Sequence, residues 1–447
     1  MNQDITSPTI LVIIGVSGDL NKRKLLPAIR QIHRAGRLPE KFRIIGITRR
    51  KLKKQDVLPS GDKAFLRKAL TLRRMDLTDA RAYTELYKEL ESIENEFGEP
   101  AQRLFYLSVP PQASQPVIKL LGEAGFGKLK DTKLLLEKPF GSDLDSAKDL
   151  IDRIHTYFSE DKVYRIDHFL AKEMAQNILV FRTGNSLIKR TWNSDFIESI
   201  DIIANESIGI EGRAGFYEQT GALRDLVQSH LLQLAALTLM ELPDENGWGA
   251  VPRRRLQALE ALMPPTNVRT DVHRGQYEGY QDEVKNPGSK VETFVCLKLL
   301  SKSPRWGNVP ITVMTGKSLA KKSTEIRIRY RQKDAAESNE LVLRIQPNEG
   351  VEFNLWIKQP GYERELRQLP LDFSYSHHFE GLPEAYERVF VDAMRADHTL
   401  FTTSEEVLAS WRILEPIQSH WNMNDEDLII YKPGSTPEEI LGKSSNV

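Results

Sequence analysis

From Thr9 to Gly15 the chain reads TILVIIG, an uncharged run rich in β-branched residues. Such a run predicts a strand buried on both faces, as in a parallel sheet. Asp19 follows, placed to cap a helix extending through Lys24 to about Arg34, with Leu25, Leu26, Ile29 and Ile32 on its apolar side. FRIIGIT (Phe42–Thr48), RLFYLSV (Arg103–Val109), KLLLEKPF (Lys133–Phe140) and VYRIDHF (Val163–Phe169) repeat the strand pattern, and helical stretches at Pro116–Ala124 and Leu144–Tyr157 separate the last three. Strands alternating with helices predict βαβ units and a parallel sheet covered on both faces. The basic Lys51–Arg74 stretch is weakly periodic and predicts no element with definite ends.

The alternation stops near Val163–Leu170. Helices are predicted over Leu170–Arg182 and Leu256–Leu262, a strand over Phe196–Ala204, and a long amphipathic helix over Tyr217–Met240. Between Glu292 and Lys358 come ETFVCLKLL, VPITVMTG, TEIRIRYR, ELVLRIQ and VEFNLWI, with no helix between them. That series predicts a mostly antiparallel sheet in an α+β domain. Two helices, near Glu384–Arg395 and Glu405–Trp421, follow, and the Ser/Gly/Pro-rich stretch after Pro433 predicts an irregular tail. The expected division is therefore an α/β domain over 1–165 and a larger α+β domain over 166–447.

Composition narrows the class. At 447 residues the chain is long enough for two or three domains. Its 62 basic and 62 acidic side chains cancel, which argues against a general nucleic-acid or membrane-surface binder, since either needs a concentrated basic face. The single cysteine, Cys296, excludes an internal disulfide and a cysteine-only metal site. No His/Cys/Asp cluster has metal-ligand spacing, so no metal is expected. No apolar run approaches the ~18–20 residues of a membrane span, and MNQDITSPT lacks the pattern of a secretory leader, so a cytoplasmic location is expected.

Four places carry candidate chemistry. Gly15-Val16-Ser17-Gly18-Asp19-Leu20 lies between the first strand and first helix, where a dinucleotide pyrophosphate meets backbone N–H groups and a helix dipole. It departs from G-x-G-x-x-G at Ser17 and Leu20, and an ordinary tight turn would read the same way. After the second strand come Arg49 and Arg50, where NAD binders usually place an acid; guanidinium groups suit a ribose 2′-phosphate, and a solvated basic loop end also fits. Lys138 ends one strand and Arg165-Ile166-Asp167-His168 ends the next, with Lys172 four residues beyond His168 and one turn into the following helix, so His168 and Lys172 could meet one anion with help from that helix's N-terminus. On the long helix Arg224, Asp225 and Gln228 share a flank with His230 one turn on, although a histidine there serves a hydrogen-bonded core as readily.

Together these segments resemble the glucose-6-phosphate dehydrogenase family. The resemblance is carried by GVSGDLNKRKLLPAI (Gly15–Ile29), LLEKPFG (Leu135–Gly141), YRIDHFLAKEMAQNI (Tyr164–Ile178), GRAGFYEQTGALRDLVQSHLLQ (Gly212–Gln233), RGQYEGY (Arg274–Tyr280), VPITVMTGKSLAKK (Val309–Lys322) and LRIQPNE (Leu343–Glu349). It implies a Rossmann-type coenzyme domain and an α+β domain whose sheet mediates assembly into a homodimer or homotetramer. The implied reaction is oxidation of D-glucose 6-phosphate at C1 to 6-phospho-D-glucono-1,5-lactone, the first oxidative step of the pentose phosphate pathway, with hydride transfer to NADP. By the same resemblance His230 is the general base and Asp167 its supporting carboxylate, roles that suit a group titrating near neutral pH. His168 and Lys172 match the sugar-phosphate ligands. Lys138, Glu206, Asp225, Lys317, Lys322 and Gln346 match the other substrate contacts, while ion pairs of Asp225 with Arg224 and Glu206 with Arg213 explain those acids as well. Gly15, Ser17, Gly18, Asp19, Leu20, Arg49 and Lys138 match the coenzyme positions.

Phe169 stands where the family commonly has a phosphate-binding tyrosine, a loss worth about 0.5–1.5 kcal/mol or more. Ser114 replaces a tyrosine near the coenzyme, and Lys51–Arg74 is shorter than usual. A related sugar oxidoreductase would need no phosphate cluster, so His168, Lys172 and Lys322 argue against it. A non-catalytic homologue binding NADP or sugar phosphate would not require both Asp167 and His230.

Overall fold

A computed structural model describes residues 5–61, 63–243, 247–332, 338–424 and 427–444; Met1–Asp4, part of the stretch read above for a leader, lie outside the described residues. The TILVIIG run forms strand β1 (Thr9–Ile14), with every residue buried. Around it lie β2 (Phe42–Thr48), β3 (Leu70–Arg74), β4 (Gln102–Leu107), β5 (Thr132–Glu137) and β6 (Val163–Ile166) in the order β6-β5-β4-β1-β2-β3. All five pairings are parallel. The largely apolar sequences of the central strands follow from this arrangement, because helices must cover both faces of such a sheet. The helix Leu26–Arg34 does so with Leu26, Ala28, Ile29 and Ile32, each worth up to ~1.5–3 kcal/mol for the larger side chains. The unplaced Lys51–Arg74 stretch resolves into short helices at Lys54–Val57 and Ala64–Ala69 and the edge strand β3.

The chain divides into two compact units, and the division differs from 1–165 and 166–447. The first unit is 1–171 plus 383–407; the second is 172–382 plus 408–447. Burial and hydrogen bonding explain why 383–407 joins the first unit. The helix Ala385–Arg395 turns Ala385, Val389, Phe390, Ala393 and Met394 into the first unit's core, and the strand Phe401–Thr402 pairs antiparallel with β6. Lys133 donates from its buried Nζ to Ala393 O at 2.6 Å and Gln102 Oε1 at 2.8 Å. A cation at a helix C-terminus is favourable, although burial brings this ammonium down to about 8.

The second unit is built on a sheet whose strands run, edge to edge, Leu366–Ser374, Gly350–Lys358, Glu340–Gln346, Ser323–Tyr330, Ile197–Asn205, Ile311–Gly316, Phe294–Ser301, Val272–Tyr277 and Leu428–Tyr431. Seven pairings in this unit are antiparallel, including a two-residue strand Leu262–Met263 against Phe294–Ser301. Two are parallel, Ile197–Asn205 with Ile311–Gly316 and Val272–Tyr277 with Leu428–Tyr431. The expected irregular tail is in part a helix, Pro437–Ser444. Arg182, 1 % exposed, donates to Leu237 O and Met240 O at 2.7 Å each, satisfying carbonyls where the helix Leu232–Leu239 ends. Burial lowers this guanidinium to about 9. Among the described residues no helix is long and apolar enough to cross a membrane.

Candidate active site

In the first unit the strand order reverses at β1, with β4 on one side and β2 on the other; ligands of open α/β sheets bind outside the strand C-termini at such a point. Gly15 leaves β1 at φ 96°, and a Cβ there would lie 2.2 Å from Ser108 O, so only glycine fits. Gly18 N donates to Gly15 O at 3.0 Å, closing the turn through Ser17. The first helical residues, Asp19 and Leu20, follow at once. Asp19 does not act as the expected cap: its carboxylate pairs with Arg23 at 2.8 Å on an exposed face. Asn21, fully buried and unremarked in the sequence, donates to Val16 O at 2.6 Å and braces the turn from beneath. Such a backbone cradle suits a pyrophosphate.

Arg49 and Arg50 are exposed just past β2. Arg74, at the end of neighbouring β3, donates its Nε to Arg49 O at 3.3 Å and adds a third guanidinium to that edge. Three such groups suit a doubly charged phosphate. Lys138 follows β5, and Asp167 and His168 follow β6, so all three stand at the same edge of the sheet as Gly15. Asp167 is 4 % exposed and accepts from Phe169 N at 2.9 Å. Glu137, beside Lys138, receives hydrogen bonds from the hydroxyls of Tyr106 and Tyr386. Burial raises its carboxyl, against the opposing pull of those bonds and of Lys138.

In the second unit Lys317, 1 % exposed, forms an ion pair with Glu206 and lies 5.2 Å from the Tyr217 ring centroid. Lysine, not Arg213, is therefore the partner of Glu206. Lys322 and Gln346 line one cavity of about 320 Å³ together with Arg344 and Asp372. Gln346 donates to Thr324 Oγ1 at 3.1 Å across the strand pair. The structure thus brings Glu206 to Lys317 and Lys322 to Gln346.

The predicted helix over Tyr217–Met240 is broken. Gly221 adopts φ 64° and ψ 179°, and a π-helix over Leu223–Leu231 joins the broken segment to an α-helix at Leu232–Leu239. Periodicity at 3.6 residues could not show this, since the i→i+5 bonding of a π-helix changes which residues share a side. Asp225 and His230, five apart, are placed by that turn; His230 is 1 % exposed. Glu292 fixes where the π-helix starts: it is buried, its Oε1 accepts from Leu223 N at 2.9 Å, and its backbone carbonyl accepts from Ala222 N at 3.0 Å. A Cβ at Gly221 would lie 2.4 Å from that carboxylate, so glycine makes the close approach possible. Burial raises the Glu292 carboxyl. No local pattern marks Glu292, which lies far along the chain from the helix it anchors.

Lys172 is not one turn inside a helix. It is the N-cap residue of Glu173–Gly184, and the carboxylate of Glu349 accepts from Met174 N at 2.7 Å. One N–H of the helix N-terminus that was expected to help bind an anion, Met174 N, is therefore already satisfied.

Comparison with known proteins covers both units. The family description "Glucose-6-phosphate dehydrogenase, NAD binding domain" matches residues 12–177, and "Glucose-6-phosphate dehydrogenase, C-terminal domain" matches 179–442. The glucose-6-phosphate 1-dehydrogenase of Chlamydia muridarum is 36% identical, with 93% of this chain and 90% of the relative covered. That of Bacillus subtilis is 34% identical, with 95% and 94% covered. A solved structure of a glucose-6-phosphate dehydrogenase in complex with its substrate glucose 6-phosphate is 32% identical, with a TM-score of 0.91 over 99% of this chain and 98% of the other.

Proposed function

This chain belongs to the glucose-6-phosphate dehydrogenase family, and from that premise we propose that it oxidises D-glucose 6-phosphate at C1 to 6-phospho-D-glucono-1,5-lactone with NADP as acceptor. What carries the reading is that the similarity runs from 12 to 177 and from 179 to 442, through the motif positions in both units. The nicotinamide ring, when bound, takes the hydride from C1. His230 accepts the proton of the C1 hydroxyl, so that the C1–O bond becomes a carbonyl as the C–H bonding pair departs. Asp167 supports the imidazolium that results, and a histidine titrates near the pH at which such a transfer is efficient. Lys172 and His168 hold the 6-phosphate, which stays on the product. Lys138, Glu206, Asp225, Lys317, Lys322 and Gln346 bind and orient the sugar. Gly15, Ser17, Gly18, Asp19 and Leu20 form the coenzyme cradle, Lys138 serves the coenzyme as well, and Arg49 with Arg50 favours the 2′-phosphate of NADP over NAD.

The assembly is a homodimer or homotetramer in the cytoplasm. The outermost strand of the second sheet supports association, since Leu366 and Leu371 on it are 65% and 64% exposed. The test is the appearance of reduced nicotinamide at 340 nm (~10⁰–10³ turnovers per second is the usual enzyme range) with NADP or NAD crossed against glucose 6-phosphate or glucose. Turnover confined to glucose 6-phosphate and stronger with NADP is expected. Turnover of free glucose alone, or none from folded protein that binds NADP, overturns the reading.

A further inference from the structure

The helix Glu173–Gly184 begins with a residue poorly suited to begin it. An N-cap side chain normally accepts a hydrogen bond from the first turn, which is why Ser, Thr, Asp and Asn predominate there. Lys172 has no acceptor, and no side-chain cap bond is made from it. Its φ of −67° and ψ of 142° are nonetheless those of an N-cap, and its carbonyl accepts the first helical bond, from Gln176 N at 3.2 Å. Among the described residues of its unit, the Lys172 side chain forms no hydrogen bond or ion pair. A rule of local structure is broken where a cation is kept available.

The missing acceptor comes from 175 residues away. Glu349 Oε2 takes the Met174 N–H at 2.7 Å. The loop that delivers it is held from several sides. Gln346 donates to Thr324 Oγ1 at 3.1 Å, Arg344 Nε donates to Asn348 O at 3.4 Å, and Glu349 O accepts from Tyr375 N at 3.0 Å. Asn348 sits in the left-handed region at φ 54°, which turns the chain so that Glu349 faces the helix. The groups around the carboxylate are Lys172 and Glu173 of the helix and Tyr375 of the adjoining segment. Burial raises the Glu349 carboxyl, opposed by the Met174 bond and the nearby ammonium of Lys172.

We propose that Glu349 is a positioning residue for the sugar phosphate: by capping the helix in place of Lys172, it fixes the backbone from which that lysine reaches its ligand, and it ties the lysine to Gln346 at the end of the preceding strand. The proposal rests on the reading of Lys172 as a phosphate ligand. It also revises how the anion is held. With Met174 N of the helix's first turn already bonded to a carboxylate, phosphate recognition in this unit rests more on side chains than on the helix N-terminus.

Steady-state kinetics on full-length Lys172→Ala, Glu349→Ala, Glu349→Gln and the Lys172→Ala/Glu349→Ala double variant test this. Loss of a charged phosphate contact in Lys172→Ala should raise KM for glucose 6-phosphate by ~10–100-fold. Loss of the cap in Glu349→Ala should raise the same KM by ~3–30-fold, with kcat and the KM for NADP within about twofold. Glu349→Gln, whose amide oxygen can still accept from Met174 N, should stay within about threefold of the parent. The double variant should be no worse than Lys172→Ala, because Glu349 acts through that lysine. Should Glu349→Ala not fold, Glu349→Asp, which keeps the charge but shortens the reach by one methylene, takes its place with the same expectation of a raised KM. A raised KM in Lys172→Ala with no change in the Glu349 variants sinks the positioning role alone. Multiplying effects in the double variant, or equal losses in kcat and in NADP binding, sink it too. An unchanged KM in Lys172→Ala removes the phosphate reading of that lysine, and the proposal with it.

Discussion

In the first unit the candidate ligand groups stand where parallel strands end; in the second they stand on a π-helix, a helix N-cap and a loop between antiparallel strands. Parallel strands point the same way, so Gly15, Arg49, Lys138 and Asp167 reach one edge by topology alone. The second sheet has no common end to supply. There, candidate substrate residues are held by buried or half-buried carboxylates from elsewhere in the chain: Glu206 beside Lys317, Glu292 at the start of the π-helix, and Glu349 at the helix of Lys172. In one unit the candidate groups are placed by backbone topology and in the other by side chains that hold side chains.

The largest effect should come from the second unit's chemistry. His230→Asn should lower kcat by ~10²–10⁴ while NADP affinity, read by fluorescence titration, is unchanged. Unaltered turnover would remove His230 as the base. Backbone damage in the first unit comes next. Gly15→Ala forces a Cβ to within 2.2 Å of Ser108 O at φ 96°, so KM for NADP should rise by ~10-fold or more and Tm should fall. If both stay at parent values, the first unit does not depend on its backbone cradle and the contrast between the units fails.

Smaller changes sharpen the contrast. Arg49→Ala should raise KM for NADP by ~10-fold or more and leave that for NAD nearly unchanged, since one charge-assisted contact to the 2′-phosphate is lost. Equal effects on both coenzymes would refute the 2′-phosphate assignment. Phe169→Tyr should lower KM for glucose 6-phosphate by ~2–10-fold if the added hydroxyl reaches the phosphate; a constant or higher KM would mean that the pocket is packed around phenylalanine.

The smallest effect concerns stability. Asp392, on the helix Ala385–Arg395, is 1 % exposed, and burial raises its carboxyl to about 6 against the pull of Arg388 at 2.9 Å. A folded-state value above the unfolded one gives stability that is complete below about pH 4 and lost as pH rises through about 6. The slope is at most ~1.4 kcal/mol per pH unit. Asp392→Asn removes it, so the variant's Tm relative to the parent should be more favourable at pH 7 than at pH 4.5. The same difference at both values would show that Asp392 does not titrate in this window.

Periodicity predicted β1, β2, β4, β5 and β6 because a strand buried on both faces carries a nearly continuous apolar run, and that signal is local. It missed β3, which lies at the sheet edge and reads LTLRR, with only Leu70 buried. The assignment of 383–407 was hidden for a different reason. Its helix looks the same in sequence whichever core receives its apolar face; Lys133 and the pairing of Phe401–Thr402 with β6 reveal which one does. The kink at Gly221 and the π-helix were equally invisible, since both depend on the Glu292 carboxylate meeting the chain there.

What the sequence determined by itself was the two-part architecture, the place of the glycine turn after β1 and, through its motifs, the family and the residues proposed for its chemistry. These are carried by runs and spacings within a few residues, where one chain segment sets its own conformation. Only the tertiary structure decided that Asp19 pairs with Arg23 instead of capping a helix, that Glu206 belongs to Lys317, and that the helix of Lys172 is capped by Glu349. Each of the last two is a contact between residues more than a hundred positions apart. Such partners are selected by burial, which makes an unsatisfied polar group costly, and burial exists only once the chain has folded.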